Sequence, residues 1–146
     1  MNEIRPGLFI GTMEEATDLE FLRLNKITAV LNVAHGVNDP VIARGEDIAN
    51  VKIGLGDTSH NKPYLKELAV YALKMMLAAD ERILVHCRLG ISRAVWVVCR
   101  TLADFENRDP NEVFGEVMDK CTGSRHGPLF DERASLQPHP LDRTSY

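Results

Sequence analysis

The sequence is poor in the features that would send a chain of 146 residues to a membrane, the cell exterior or a nucleic acid. It has one Trp and 6% aromatics, and 17 Lys+Arg against 21 Asp+Glu leave a net charge of −4. No field from the whole surface would therefore draw in DNA, RNA or an anionic membrane, and any anionic ligand must be caught locally. No stretch approaches the ~20 apolar residues of a membrane span, and Glu3, Pro6 and Gly7 interrupt the start where a signal peptide needs an apolar run. Cysteine is scarce and odd in number: Cys87, Cys99 and Cys121 cannot form a closed disulfide set and lack the close pairing of a zinc site. The expectation is a single domain over residues 1–137 with a short tail, 138–146, as a monomer in a reducing cytoplasmic or nuclear compartment.

What is present is an alternation of strand and helix signals. Leu8–Ile10, bounded by Gly7 and Gly11, reads as a brief edge strand. Thr12 with Glu15 three residues later is a capping-box pattern, and helical spacing continues to Leu24. Ile27–Val33 is nearly all apolar and β-branched, as a central parallel strand buried on both faces requires. Residues 34–50 read as an exposed loop, with a short helix around Val41–Arg44 as the alternative. Val51, Ile53 and Leu55 then alternate with polar or glycine positions in a strand ending at Asp57.

The periodicity next predicts a helix over about Tyr64–Ala79, with Leu65, Leu68, Ala72, Met75, Met76 and Ala79 on its apolar face. Arg82–His86 is another strand, stopping at Cys87. A buried helix follows over about Ser92–Phe105, and Asp109-Pro110 is a cap and first-turn pair opening a helix to about Lys120. A last short helix is expected over Pro128–Leu136. The fold class is α/β, with a mostly parallel central sheet of four to five strands flanked by helices. Ligands of such sheets sit at the carboxyl ends of strands, which directs attention to Asp57 and Cys87.

The informative segment is HCRLGISR, residues 86–93. A tight loop from a strand end into a helix turns successive backbone N–H groups inward, and the helix adds the positive end of its dipole. The result is a socket for a tetrahedral dianion. Arg93 supplies a planar fork for two oxygens, and Gly90 permits a backbone conformation that a side chain would hinder. The same field favours the thiolate of Cys87. Displacing an alkoxide or phenoxide from phosphorus needs a proton for the leaving group, and Asp57, ending the strand before the crossover helix, is the candidate donor.

This arrangement resembles the dual-specificity phosphatases of the cysteine-dependent protein tyrosine phosphatase superfamily. The resemblance spans residues 4–131: the IRPGLFIG opening, the LNVA strand, an Asp thirty residues before the Cys, the LVHC strand, the Cys-x5-Arg loop and two following helices. Cys-x5-Arg by itself also occurs in sulfurtransferases and arsenate reductases, so its setting carries the match. The resemblance implies that Cys87 attacks phosphorus, Arg93 holds the phosphoryl oxygens, and Asp57 acts first as acid and then as base. It implies no metal or organic cofactor, a phosphoprotein substrate, pocket contacts from Arg88, Leu89, Gly90, Ile91, Ser92 and Arg93, and supporting roles for His86 and Asn32.

One departure from the family is Ala94, where a Ser or Thr hydroxyl usually donates to the catalytic sulfur. Its loss is worth about 1.5–3 kcal/mol, so slow breakdown of the phospho-enzyme is expected. Leu89 also replaces a small residue in the loop. Competing readings are a rhodanese-like sulfurtransferase, which needs no Asp acid, and a non-catalytic phosphate-binding docking module. Asp57 has the alternative of a turn cap, and Arg88 that of a phosphoinositide-type pocket. Cys99 and Cys121 read as core thiols, with a protective disulfide to Cys87 as the alternative.

Overall fold

The computed structural model describes residues 1–36, 47–58, 60–89 and 92–121. Among these residues five strands form one sheet: β1 (Asn2–Arg5), β2 (Leu8–Gly11), β3 (Ala29–Ala34), β4 (Ala49–Leu55) and β5 (Ile83–His86). Their order is β1-β2-β5-β3-β4, with β1 antiparallel to β2 and every other pair parallel. Among the described residues five helices accompany them: α1 (Met13–Ala16), α2 (Leu19–Leu24), α3 (Pro63–Ala78), α4 (Arg93–Glu106) and α5 (Pro110–Lys120).

Strand alternation divides the core in two. Leu8, Ile10, Leu31, Val33, Ile83 and Val85 point into a large cluster with α3, α4 and α5. Their neighbours Phe9, Val30 and Leu84 point the other way, into a smaller cluster with Ala16 and Leu22 of α1 and α2. Both faces of β3 and β5 are thus covered, which explains their unbroken apolar sequence. β4 is an edge strand and keeps the alternating pattern, with Lys52 exposed between the partly buried Val51 and Ile53.

Several expectations need correction. Leu8–Ile10 is no edge strand: β1 pairs outside it, so β2 lies inside the sheet with all four residues buried. The segment to Leu24 is two short helices, because Asp18 caps a second start by accepting from the Phe21 N–H, while the Thr12–Glu15 capping box closes as expected. β4 begins at Ala49, inside the stretch read as loop.

The buried face of α3 is rotated from the expected one. It carries Lys66, Ala69, Val70, Leu73 and Met76, whereas Leu68 and Met75 are exposed. α3 is apolar on more than one side, and two of its polar residues also meet α4. The Lys66 ammonium lies 5.0 Å from the Trp96 ring centre. Glu67 forms a two-pronged ion pair with fully buried Arg100 of α4, at 2.7 and 2.8 Å. The expected helices at Val41–Arg44 and Pro128–Leu136, and the boundary at 137, fall outside the described residues.

Candidate active site

β5 delivers Cys87 to the carboxyl end of the sheet, where it is buried and 3% exposed. His86 lies beside Asn32 in the parallel register of β5 and β3. The His86 Nδ1 is 2.9 Å from the Cys87 carbonyl oxygen, so the imidazole braces the start of the loop. Asn32 Oδ1 accepts from the Ala34 N–H at 2.9 Å where the β3–β4 register shifts, so its carboxamide steadies a break in the ladder. Arg88 and Leu89 are exposed on the loop after Cys87, and the Arg88 carbonyl accepts from the Met13 N–H of α1 at 3.1 Å. Gly90 and Ile91 lie outside the described residues.

The loop re-enters at Ser92, the cap residue of α4. Its buried side chain makes no capping bond and instead donates to Asp57 Oδ1 at 3.1 Å. The first turn of α4 carries no acidic residue of its own, and the carboxyl at this helix start is that of Asp57. Arg93 Nη1 donates to the Leu55 carbonyl at 2.9 Å. That carbonyl also accepts from the His35 N–H at 2.8 Å, so one oxygen at the end of β4 ties β3, β4 and the guanidinium together. Ala94 is fully buried directly behind Arg93, with only a methyl group to offer.

Asp57 is exposed two residues beyond β4, on the turn into α3. Sequence and structure therefore bring Asp57, Ser92 and Arg93 together, while Cys87 stands at the other end of the same loop. Asn61 was not singled out in the sequence. Its side chain bonds three backbone groups around Asp57, and the only sequence signal was an Asn four residues beyond a Gly-Asp pair. The Leu55 carbonyl and the Met13 N–H left no side-chain signal at all.

The remaining cysteines are set apart by burial. Cys99 is wholly buried, and burial, reinforced by nearby Cys121, pushes its thiol well above the usual range. Both are free thiols within the core, as expected. Among the described residues no group of His, Cys, Asp and Glu has a metal-binding arrangement, and no helix is long and apolar enough to cross a membrane.

The architecture is the protein tyrosine phosphatase-like α/β fold. It aligns with the crystal structure of human DUSP28 at a TM-score of 0.79 and 21% identity, over 94% of this chain and 93% of that one. It aligns with DUSP15 at 0.78 and 24%, over 92% and 83%. The chain belongs to the dual specificity phosphatase catalytic-domain family, whose model matches residues 8–128. Dual specificity protein phosphatase 1B of Arabidopsis thaliana is 35% identical over 132 residues, covering 86% of this chain and 72% of that protein. Human dual specificity protein phosphatase 22 is 35% identical over 114 residues, covering 72% and 57%, and mouse dual specificity protein phosphatase 19 is 33% identical over 105, covering 70% and 46%. The chain thus spans about half the length of these two mammalian relatives.

Proposed function

We propose that the chain hydrolyses phosphomonoesters, removing phosphate from phosphotyrosine, and from phosphoserine or phosphothreonine, in protein substrates. The observation that carries this reading is the convergence of Asp57 and Arg93 on one strand end. Ser92 joins the acid to the loop that begins at Cys87, and Leu55 anchors the guanidinium beside it. A sulfurtransferase would have no use for a carboxyl held there, and membership of the phosphatase family also weighs against it.

In this mechanism the Cys87 thiolate attacks phosphorus while Arg93 and the loop N–H groups hold the nonbridging oxygens. The bond from phosphorus to the bridging oxygen breaks, its electron pair goes to that oxygen, and Asp57 supplies the proton. A water then gives its proton to the Asp57 carboxylate and attacks phosphorus. The sulfur–phosphorus bond breaks to release inorganic phosphate and restore the thiolate. The second step is slow in this reading, because Ala94 has no hydroxyl to stabilise the departing sulfur. The need for a free thiolate agrees with a reducing compartment.

The test is hydrolysis of a generic aryl phosphate, abolished by Cys87→Ser. Retained hydrolysis in that variant, or none by the unsubstituted protein, overturns the reading. A phosphopeptide and phospholipid panel captured on Cys87→Ser identifies the substrate class, and retention of phospholipids alone overturns the protein-substrate part.

A further inference from the structure

Asp57 is exposed on a turn, yet a general acid must present its proton within hydrogen-bond reach of one particular oxygen. Something has to hold that turn. The Asn61 carboxamide is spent entirely on it: Oδ1 accepts from the Gly56 N–H at 2.9 Å, and Nδ2 donates to the Gly56 carbonyl at 2.7 Å and to the Thr58 carbonyl at 2.9 Å. These groups lie on both sides of Asp57, so one side chain clamps the backbone that enters and leaves the acid.

Asn61 does not cap the following helix. The cap residue of α3 is Lys62, and its side chain makes no capping bond. The turn is also tight, since a Cβ added at Gly56 would stand 3.1 Å from Thr58 Cγ2. A carboxamide is the group the geometry calls for, because acceptor and donors are both used. Asp at this position would set an acceptor against two carbonyl oxygens, and Ala would leave all three backbone groups without this partner.

We infer that Asn61 is the positioning residue of the proposed general acid, fixing Asp57 through the backbone on either side of it. This rests on the phosphatase reading above. The role is selective: a misplaced acid matters where the leaving oxygen needs a proton and matters little where the leaving group departs unaided. Loss of a merely structural contact would slow both kinds of substrate alike.

The experiment compares Asn61→Ala with the unsubstituted protein on two substrates, phenyl phosphate and an aryl phosphate with a strongly acidic fluorinated phenol. The expected result is a fall in kcat/KM of about 10- to 100-fold on phenyl phosphate and about threefold or less on the fluorinated ester. In an Asp57→Asn background, Asn61→Ala is expected to cause no further selective loss. Asn61→Ser, which keeps a short neutral polar side chain but cannot reach all three backbone groups at once, provides the same comparison if the Ala variant fails to fold. Equal losses on both substrates, or a full additional loss in the Asp57→Asn background, overturn the role of Asn61 and leave the phosphatase reading standing. Absence of any Cys87-dependent hydrolysis overturns both.

Discussion

The hydroxyl of Ser92, buried at the start of α4, donates to Asp57 Oδ1 at 3.1 Å across 35 positions of sequence. The loop carrying the proposed acid therefore leans directly on the loop carrying the proposed nucleophile. Ser92→Ala removes that contact and leaves the helix start otherwise intact, because Ser92 makes no side-chain capping bond. A loss of about 1 kcal/mol, or roughly fivefold in kcat/KM on phenyl phosphate, is expected, with a smaller change on activated esters. Identical rates in the two proteins would show that the contact does not position Asp57.

Asp57→Asn tests the acid itself. Turnover of phenyl phosphate is expected to fall by about 10²- to 10⁴-fold while an activated ester loses much less. Steady-state kinetics on a series of phenols of graded acidity checks this, since the variant's rate becomes steeply dependent on the leaving group.

Ala94→Ser restores a hydroxyl behind Arg93. If departure of the Cys87 sulfur limits turnover, the steady-state rate rises by about 10-fold or more, and the burst of released phenol expected of the unsubstituted protein shrinks. Rapid-mixing kinetics reads both. No burst before the substitution, together with an unchanged steady state after it, would rule out slow intermediate breakdown.

Arg100 is a matter of stability and is not among the proposed catalytic groups. It is fully buried, bonded to Glu67 and, at 3.1 Å, to Asp104; these hydrogen-bonded carboxylates outweigh the desolvation that would otherwise loosen its proton. Removing one partner of such a network strands the others, so Arg100→Ala is expected to cost about 3–5 kcal/mol, measured as a fall in the urea midpoint. Glu67→Gln keeps a neutral hydrogen bond and is expected to cost less.

Acid weakens a second network. Arg5 of β1 bonds Glu106 and Glu116, and Arg108 bonds both as well, fastening the edge of the sheet to α4 and α5. Hydrogen bonding to Arg108 and then Arg5 holds the Glu116 carboxyl down at about 2, and Arg5 holds Glu106 below its usual range. A carboxyl depressed in the folded state contributes stability that is complete above its unfolded value and is lost as pH falls through the folded one. Glu116→Gln is therefore expected to lower thermal stability at neutral pH and to flatten its loss between about pH 4.5 and pH 2, so that the two proteins converge at the acid end, as followed by circular dichroism.

Much of this was legible in the chain. The run Ile27–Val33 read as a central strand and Arg82–His86 as another strand, matching β3 and β5 closely, and the caps at Thr12 and Asp109 read correctly because capping is local chemistry. Strand order was less accessible. β1 contains Asn2 and Glu3, which carry no strand signal, and pairing outside β2 is a long-range decision that moved Leu8–Gly11 from the edge to the interior. The face of α3 was read only in part, because an apolar helix can bury several stripes: Met76 is buried and Leu65 and Ala72 pack against the core, while Leu68 and Met75 are exposed.

By itself the sequence determined the family, the alternation of strands and helices, and the candidacy of Cys87, Arg93 and Asp57, because Cys-x5-Arg at a strand-to-helix junction is a local pattern of spacing and residue type. Only the tertiary structure decided what holds those groups. Arg93 is anchored by the backbone carbonyl of Leu55, Asp57 leans on Ser92, and the turn around Asp57 is clamped by Asn61. The physical reason is that backbone carbonyls and N–H groups are the same at every position of the chain. Which of them meets a given side chain is set by how the strands and loops pack.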